Sequence, residues 1–125
     1  MADDLIPADV REFVLQHIDS IAHLEALLLL MRQPEERWSA GRVAGHLYLE
    51  LAQAEEVLAQ LCAQNLLDCR DDVYWFDVKW PGQKQVIERL ATLYAQHLIP
   101  ITNLVHAKPS GARAFAAAFK LRRER

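Results

Sequence analysis

The side chains best equipped for metal binding or nucleophilic chemistry are His17, His23, His46, His97 and His106, together with Cys62 and Cys69. A zinc site needs neutral imidazoles and thiolates that converge at short, regular spacings. No HxxH or HExxH pair occurs, and the two cysteines stand seven positions apart. The histidines therefore read as partly buried or surface side chains, and no metal is expected. Nor is there a glycine-rich phosphate loop, a Ser/His/Asp order or a Cys/His pairing above chance. Glu35/Glu36, Glu55/Glu56 and Asp71/Asp72 are adjacent carboxylates in polar stretches and read as solvated surface, not as an acid/base dyad. Cys62 falls near Leu58 and Leu61 and reads as core. Cys69 reads as an exposed thiol whose redox reactivity is blunted by Asp68, Asp71 and Asp72. The residue chemistry points away from an enzyme and calls for no cofactor.

The chain that must position these groups has 125 residues, 52% apolar and 25% charged, the balance of one soluble globular domain over 1–125. Its size lets it bury about two-thirds of its unfolded surface without staples. No apolar run approaches the ~20 residues of a membrane span; the longest is Ala26 to Met31. The acidic start Met1–Asp4 lacks an apolar signal core, and two unpatterned cysteines suit a reducing compartment, so a cytoplasmic protein is expected. Charge is uneven. Residues 1–38 carry 3 basic and 8 acidic side chains, residues 39–79 carry 3 and 7, and residues 80–125 carry 8 and 2. An acidic front and a basic back suit either charge pairing between subunits or an electronegative partner for the C-terminal end.

Pro7 opens a first helix to Ile18, with Val10, Phe13, Val14 and His17 on one face. Ser20 caps a second, Ile21 to Arg32, which is apolar nearly all round and belongs at the centre of the domain. Trp38-Ser39 begins a third helix, to about Tyr48, with Ser39 as N-cap and Trp38/Val43 as a hydrophobic staple. A fourth, Glu50 to Gln64, buries Leu51, Val57, Leu58 and Leu61 and stops at a left-handed Asn65. Leu27, Leu28, Val43 and Leu47 should join Leu58 and Leu61 in the core. Leu66–Arg70 and Val73–Val78 then read as two short strands about the turn Asp71-Asp72. Pro81-Gly82 breaks the chain before a long amphipathic segment that Pro100 should bend near Ile99, and Pro109-Ser110-Gly111 starts a last helix.

The order helix, helix, short helix, longer helix, hairpin, with Trp38-Ser39-Ala40-Gly41-Arg42-Val43-Ala44-Gly45-His46-Leu47 followed by Val57 to Leu67, resembles the winged helix-turn-helix of small bacterial MarR-like regulators. The close likeness covers roughly a third of the chain, and Asn65 stands where glycine is usual. The resemblance implies a mainly α fold with a small β-hairpin wing: a winged-helix core over 7–79, with extra helices at both ends. Those at 80–125 would form a homodimer through Leu90, Tyr94, Ile101, Val105, Phe115 and Phe119. His97 and His106 on that segment would make assembly pH-sensitive.

The residues of the fourth helix depart from a DNA reader. Between Glu50 and Gln64 there is no Lys or Arg, and the polar positions are Glu50, Gln53, Glu55, Glu56, Gln60 and Gln64. Carboxylates facing a polyanion repel it, and without cations there is no counterion release to drive binding. A non-catalytic regulator acting through an unidentified protein partner is the first expectation, with Glu50, Gln53, Glu56, Gln60 and Trp75 as its surface. The alternative is a DNA-binding transcriptional regulator, whose contacts would be Arg42, Arg70 and Lys79 in the core and Arg113, Lys120, Arg122, Arg123 and Arg125 in the tail.

Overall fold

Ser20 fixes where the central helix begins. Its Oγ accepts the His23 backbone N–H at 3.3 Å and lies 2.7 Å from His23 Nδ1, so α2 runs Ile21–Arg32 as the cap predicts. The structure is a computed structural model that describes residues 6–107. The order is α1 (Ala8–His17), α2, β1 (Trp38–Ser39), α3 (Ala40–Leu47), α4 (Leu51–Ala63), β2 (Leu67–Arg70), β3 (Val73–Phe76), α5 (Pro81–Gln96) and α6 (Leu98–Ala107). The protein is mainly helical with one small antiparallel sheet. Among the described residues no single helix is long and apolar enough to cross a membrane.

Being apolar on every side, α2 has to be surrounded. It packs against α3, α4 and β3, and buries Leu24, Ala26, Leu27, Leu28 and Leu30. Val43, Leu58 and Leu61 join it in the core, while Leu47 is only half-buried at the edge. Leu51 departs from expectation: it is 53% exposed, because the first turn of α4 carries it away from the buried row Ala54, Val57, Leu58 and Leu61. Asn65 is left-handed at φ 64, and the Leu66 N–H returns to the Leu61 carbonyl at 3.1 Å, closing α4 as the sequence predicts.

Trp38-Ser39 is a strand, not the start of a helix. Ser39 Oγ does cap α3, accepting the Arg42 N–H at 3.1 Å. An N-cap residue is extended, however, and here that extension continues back through Trp38 and pairs with β3, Trp38 opposite Tyr74 and Ser39 opposite Val73. The hairpin is thereby widened to three strands in the order β1-β3-β2. Its turn, Asp71-Asp72, has φ of 54 and 64, the paired left-handed geometry that suits the twist of a two-residue hairpin.

The C-terminal helices also differ from expectation. The break falls at His97, and Pro100 sits in the first turn of α6, where a missing N–H costs nothing. Leu90, Ile101 and Val105 were expected at a dimer contact. They are instead buried within the chain, at 0%, 0% and 2% exposure, in a core shared with Val10, Phe13 and Val14 of α1. Helix α1, which packs on both α5 and α6, is what covers them. Tyr94 is half-buried, and its hydroxyl donates to Glu25 of α2 at 2.8 Å. Phe115, Phe119 and the tail cations Arg113, Lys120, Arg122, Arg123 and Arg125 lie outside the described residues, as does the helix expected from Pro109.

Two measurements check this packing. Leu28→Ala should cost about 2–5 kcal/mol in denaturant unfolding, and Leu51→Ala less than about 0.5 kcal/mol; equal costs would refute the assigned facing. Burial and the bond to Glu25 push Tyr94 up to about 12 from the ordinary 10. The folded state thus holds this proton more tightly than the unfolded one, so the stability is complete below about pH 10 and is lost as pH rises through about 12. Tyr94→Phe should lower stability at neutral pH by about 1 kcal/mol and flatten that alkaline loss. An unchanged alkaline limb in the variant would disprove the assignment.

Candidate interaction surface

The exposed side of α4 is a strip without positive charge. Gln53, Glu55, Glu56 and Gln60 are exposed along it, with Glu50 exposed at its N-cap, and α4 has no basic residue in either end turn. At the entrance to this strip stand two exposed apolar side chains. Tyr48 closes α3 in the left-handed conformation, φ 58, and is 95% exposed; Leu51 follows three residues later. A tyrosine at positive φ is held there against its own preference by the surrounding fold. Its backbone N–H still reaches the Ala44 carbonyl. Sequence reasoning missed both residues, since the spacing of Leu51 mimics a core position and nothing local marks Tyr48 as outward.

Gln60 is less free than Gln53. Its Oε1 accepts from His23 Nε2–H, and Ser20 Oγ–H completes the ring by donating to Nδ1, so a buried histidine is satisfied at both nitrogens. A parallel link joins His17 Nδ1–H to Gln64 Oε1, while Gln83 Nε2 donates to His17 Nε2 at 3.3 Å. These bonds tie α1, α2 and α5 to the inner edge of α4. They fill the histidine nitrogens with protein partners, and among the described residues no cluster of His, Cys, Asp or Glu could hold a metal.

Two of the three described cations named for nucleic-acid contact are already engaged. Arg42 bonds Glu36 at 2.9 Å and the Arg37 carbonyl at 3.2 Å, with its guanidinium 4.0 Å over the Trp38 ring. Lys79 bonds Asp77 at 2.9 Å and Asp68 at 3.3 Å. The Asp77 bond is the largest cause of the upward push on the Lys79 ammonium. The Asp68 carboxyl is lowered by the Cys69 backbone N–H and then by Lys79. Exposed pairs like these add little stability, but they neutralise the charge a phosphate would need.

The third cation, Arg70, lies elsewhere. With Arg37, Asp71, Val73 and Trp75 it lines an open cleft of about 450 Å³ on the outer side of the sheet. Trp75 faces opposite to Tyr74 and the buried Phe76, as strand alternation predicts. Arg37 stacks on Trp75, guanidinium 4.2 Å from the ring. That contact joins the residue before β1 to the middle of β3 and is legible only once β1 is known to pair there.

The residues expected at a homodimer contact are thus largely unavailable for one. With Leu90, Ile101 and Val105 internal, the exposed apolar side chains on the described part of α6 are Leu98 and Ile99, at 51% and 64%. Comparison with family models, curated proteins and solved structures finds no match to this chain, so the chemistry of its own surface carries the functional reading.

Proposed function

We propose that this chain is a non-catalytic regulatory protein of the winged-helix type that works by binding another protein through α4. The winged-helix reading is supported by the order α2–β1–α3–α4–β2–β3 with β1 paired to β3 beside the hairpin. The observation that carries the mode of action is the combination on α4: exposed Glu50, Glu55 and Glu56 without a basic residue, entered past exposed Tyr48 and Leu51. Aromatic and aliphatic anchors ringed by charge suit a protein interface, where a tyrosine contributes much area for little entropy. The complementary partner is a surface with an apolar pocket rimmed by Lys or Arg. Pairing of two copies through Leu98 and Ile99 belongs to the same proposal, and light scattering should give twice the monomer mass, reverting to one with Ile99→Asp.

A second reading, DNA binding, is favoured by one observation, the Arg37, Arg70 and Trp75 cleft on the outer face of the hairpin. Titration against mixed-sequence duplex DNA at low and moderate salt separates the two. The wild-type protein should bind weakly or not at all, while Glu55→Lys with Glu56→Lys should gain a salt-sensitive affinity, because charge is then the only obstacle removed. Nanomolar, sequence-selective binding by the wild-type protein that disappears with Gln53→Ala would overturn the first reading in favour of the second.

A further inference from the structure

Cys62 and Cys69 are distant in role by sequence but meet in the fold. Cys62 is half-buried near the end of α4, and Cys69 is exposed in β2; both are free thiols. Strand alternation places Cys69 on the same face as Leu67, which is buried, and the ladder sets it opposite Tyr74, itself opposite Trp38. That face is the one turned toward the core, and α4 packs against β2. Cys62 and the Tyr74 that faces Cys69 both pack against that core, and Cys69 is near enough to Cys62 to push its thiol up. The intervening turn is already closed, with Asn65 N–H on the Cys62 carbonyl at 3.0 Å, Leu66 N–H on Leu61, and Lys79 N–H on the Asn65 carbonyl at 3.1 Å.

We propose that Cys62 and Cys69 are a modification site, a dithiol that is converted to an intramolecular disulfide by low-molecular-weight disulfides and so staples β2 to α4. In the first step the Cys69 thiolate attacks one sulfur of the small disulfide; that S–S bond breaks, and one thiol leaves with the proton. In the second, the Cys62 thiolate attacks the Cys69 sulfur of the mixed disulfide and expels the second small thiol. Two protein thiols are oxidised, one small disulfide is reduced to two thiols, and the two protons end on those thiols.

The order of attack follows from exposure. Cys69 meets solvent, and the neighbouring Asp68 carboxylate, which would repel a thiolate, is held by Lys79 Nζ at 3.3 Å and by the Cys69 backbone N–H at 2.8 Å. Cys62 is the resolving thiol. Burial first, and then the neighbouring Cys69, push it up to about 12, so the ring-closing step is the slower one. Because closure joins neighbouring elements that already pack together across a short loop, the bridge should change the fold little and add only modest stability.

The test uses the full chain incubated with oxidised glutathione and followed by intact mass under native conditions. A single glutathione adduct should appear first and convert to a species lacking two hydrogens, monomeric on a non-reducing gel and restored by dithiothreitol. Peptide mapping should show one Cys62–Cys69 cross-link. Cys62→Ser and Cys62→Ala should stop at the single adduct, and Cys69→Ser should stay largely unmodified, each with an unchanged circular dichroism spectrum. Two adducts per chain, a single adduct that never closes in the wild-type protein, or a cross-link between chains would each overturn the proposal.

Discussion

A helix that is apolar on every side cannot be left against water on any of them, and the rest of this structure follows from covering α2. Burying a side chain such as Leu28 is worth about 1.5–3 kcal/mol, and α2 offers a whole row of them. The wrapping elements come from both directions along the chain: α3 and α4 follow it, and β3 returns to it from beyond the hairpin. Helix α1 cannot also cover it fully, and turns its own apolar face to α5 and α6 instead. Tyr94 then ties α5 back to α2 through Glu25, so the two halves of the core are held by a polar bond as well as by packing.

The polar groups inside this wrapping are few and paired. His23 is the one buried polar side chain among the described residues, and both of its nitrogens are bonded, to Ser20 and Gln60. Trp38 shows the opposite balance. Its ring is fully buried, with Arg42 over one face and His46 at its edge, yet its Nε1–H finds no acceptor. Ring burial outweighs that unmade bond, and it is what holds β1 beside β3 and Arg42 at the foot of α3.

Surface charge is organised by the same constraint. With its inner side spent on α2, α4 turns outward what its sequence has left there, glutamates, glutamines and alanines, with Leu51 at its first turn. The cations close to it are held in pairs by Glu36, Asp68 and Asp77. A surface built this way has little to offer a phosphate backbone, which is why a cationic protein surface is the partner proposed for it.

Much of this was legible in the sequence because its cause is local. Ser20, Ser39, Asn65 and Pro81 mark helix ends by bonds or torsions that involve only their neighbours, and the apolar run in α2 announces a central helix whatever surrounds it. The absence of a basic residue in α4 is likewise a property of composition alone. Tertiary structure decided the rest, because each remaining point depends on residues far apart in the chain. Trp38 becomes a strand since β3 lies beside it; Leu90, Ile101 and Val105 are internal since α1 covers them; Leu51 is outward since α2 meets the other side of α4. The stacking of Arg37 on Trp75, and the packing of α4 on β2 that brings Cys62 near Cys69, have the same origin. Periodicity tells which residues share a face, but only the packing of distant elements tells which face meets water.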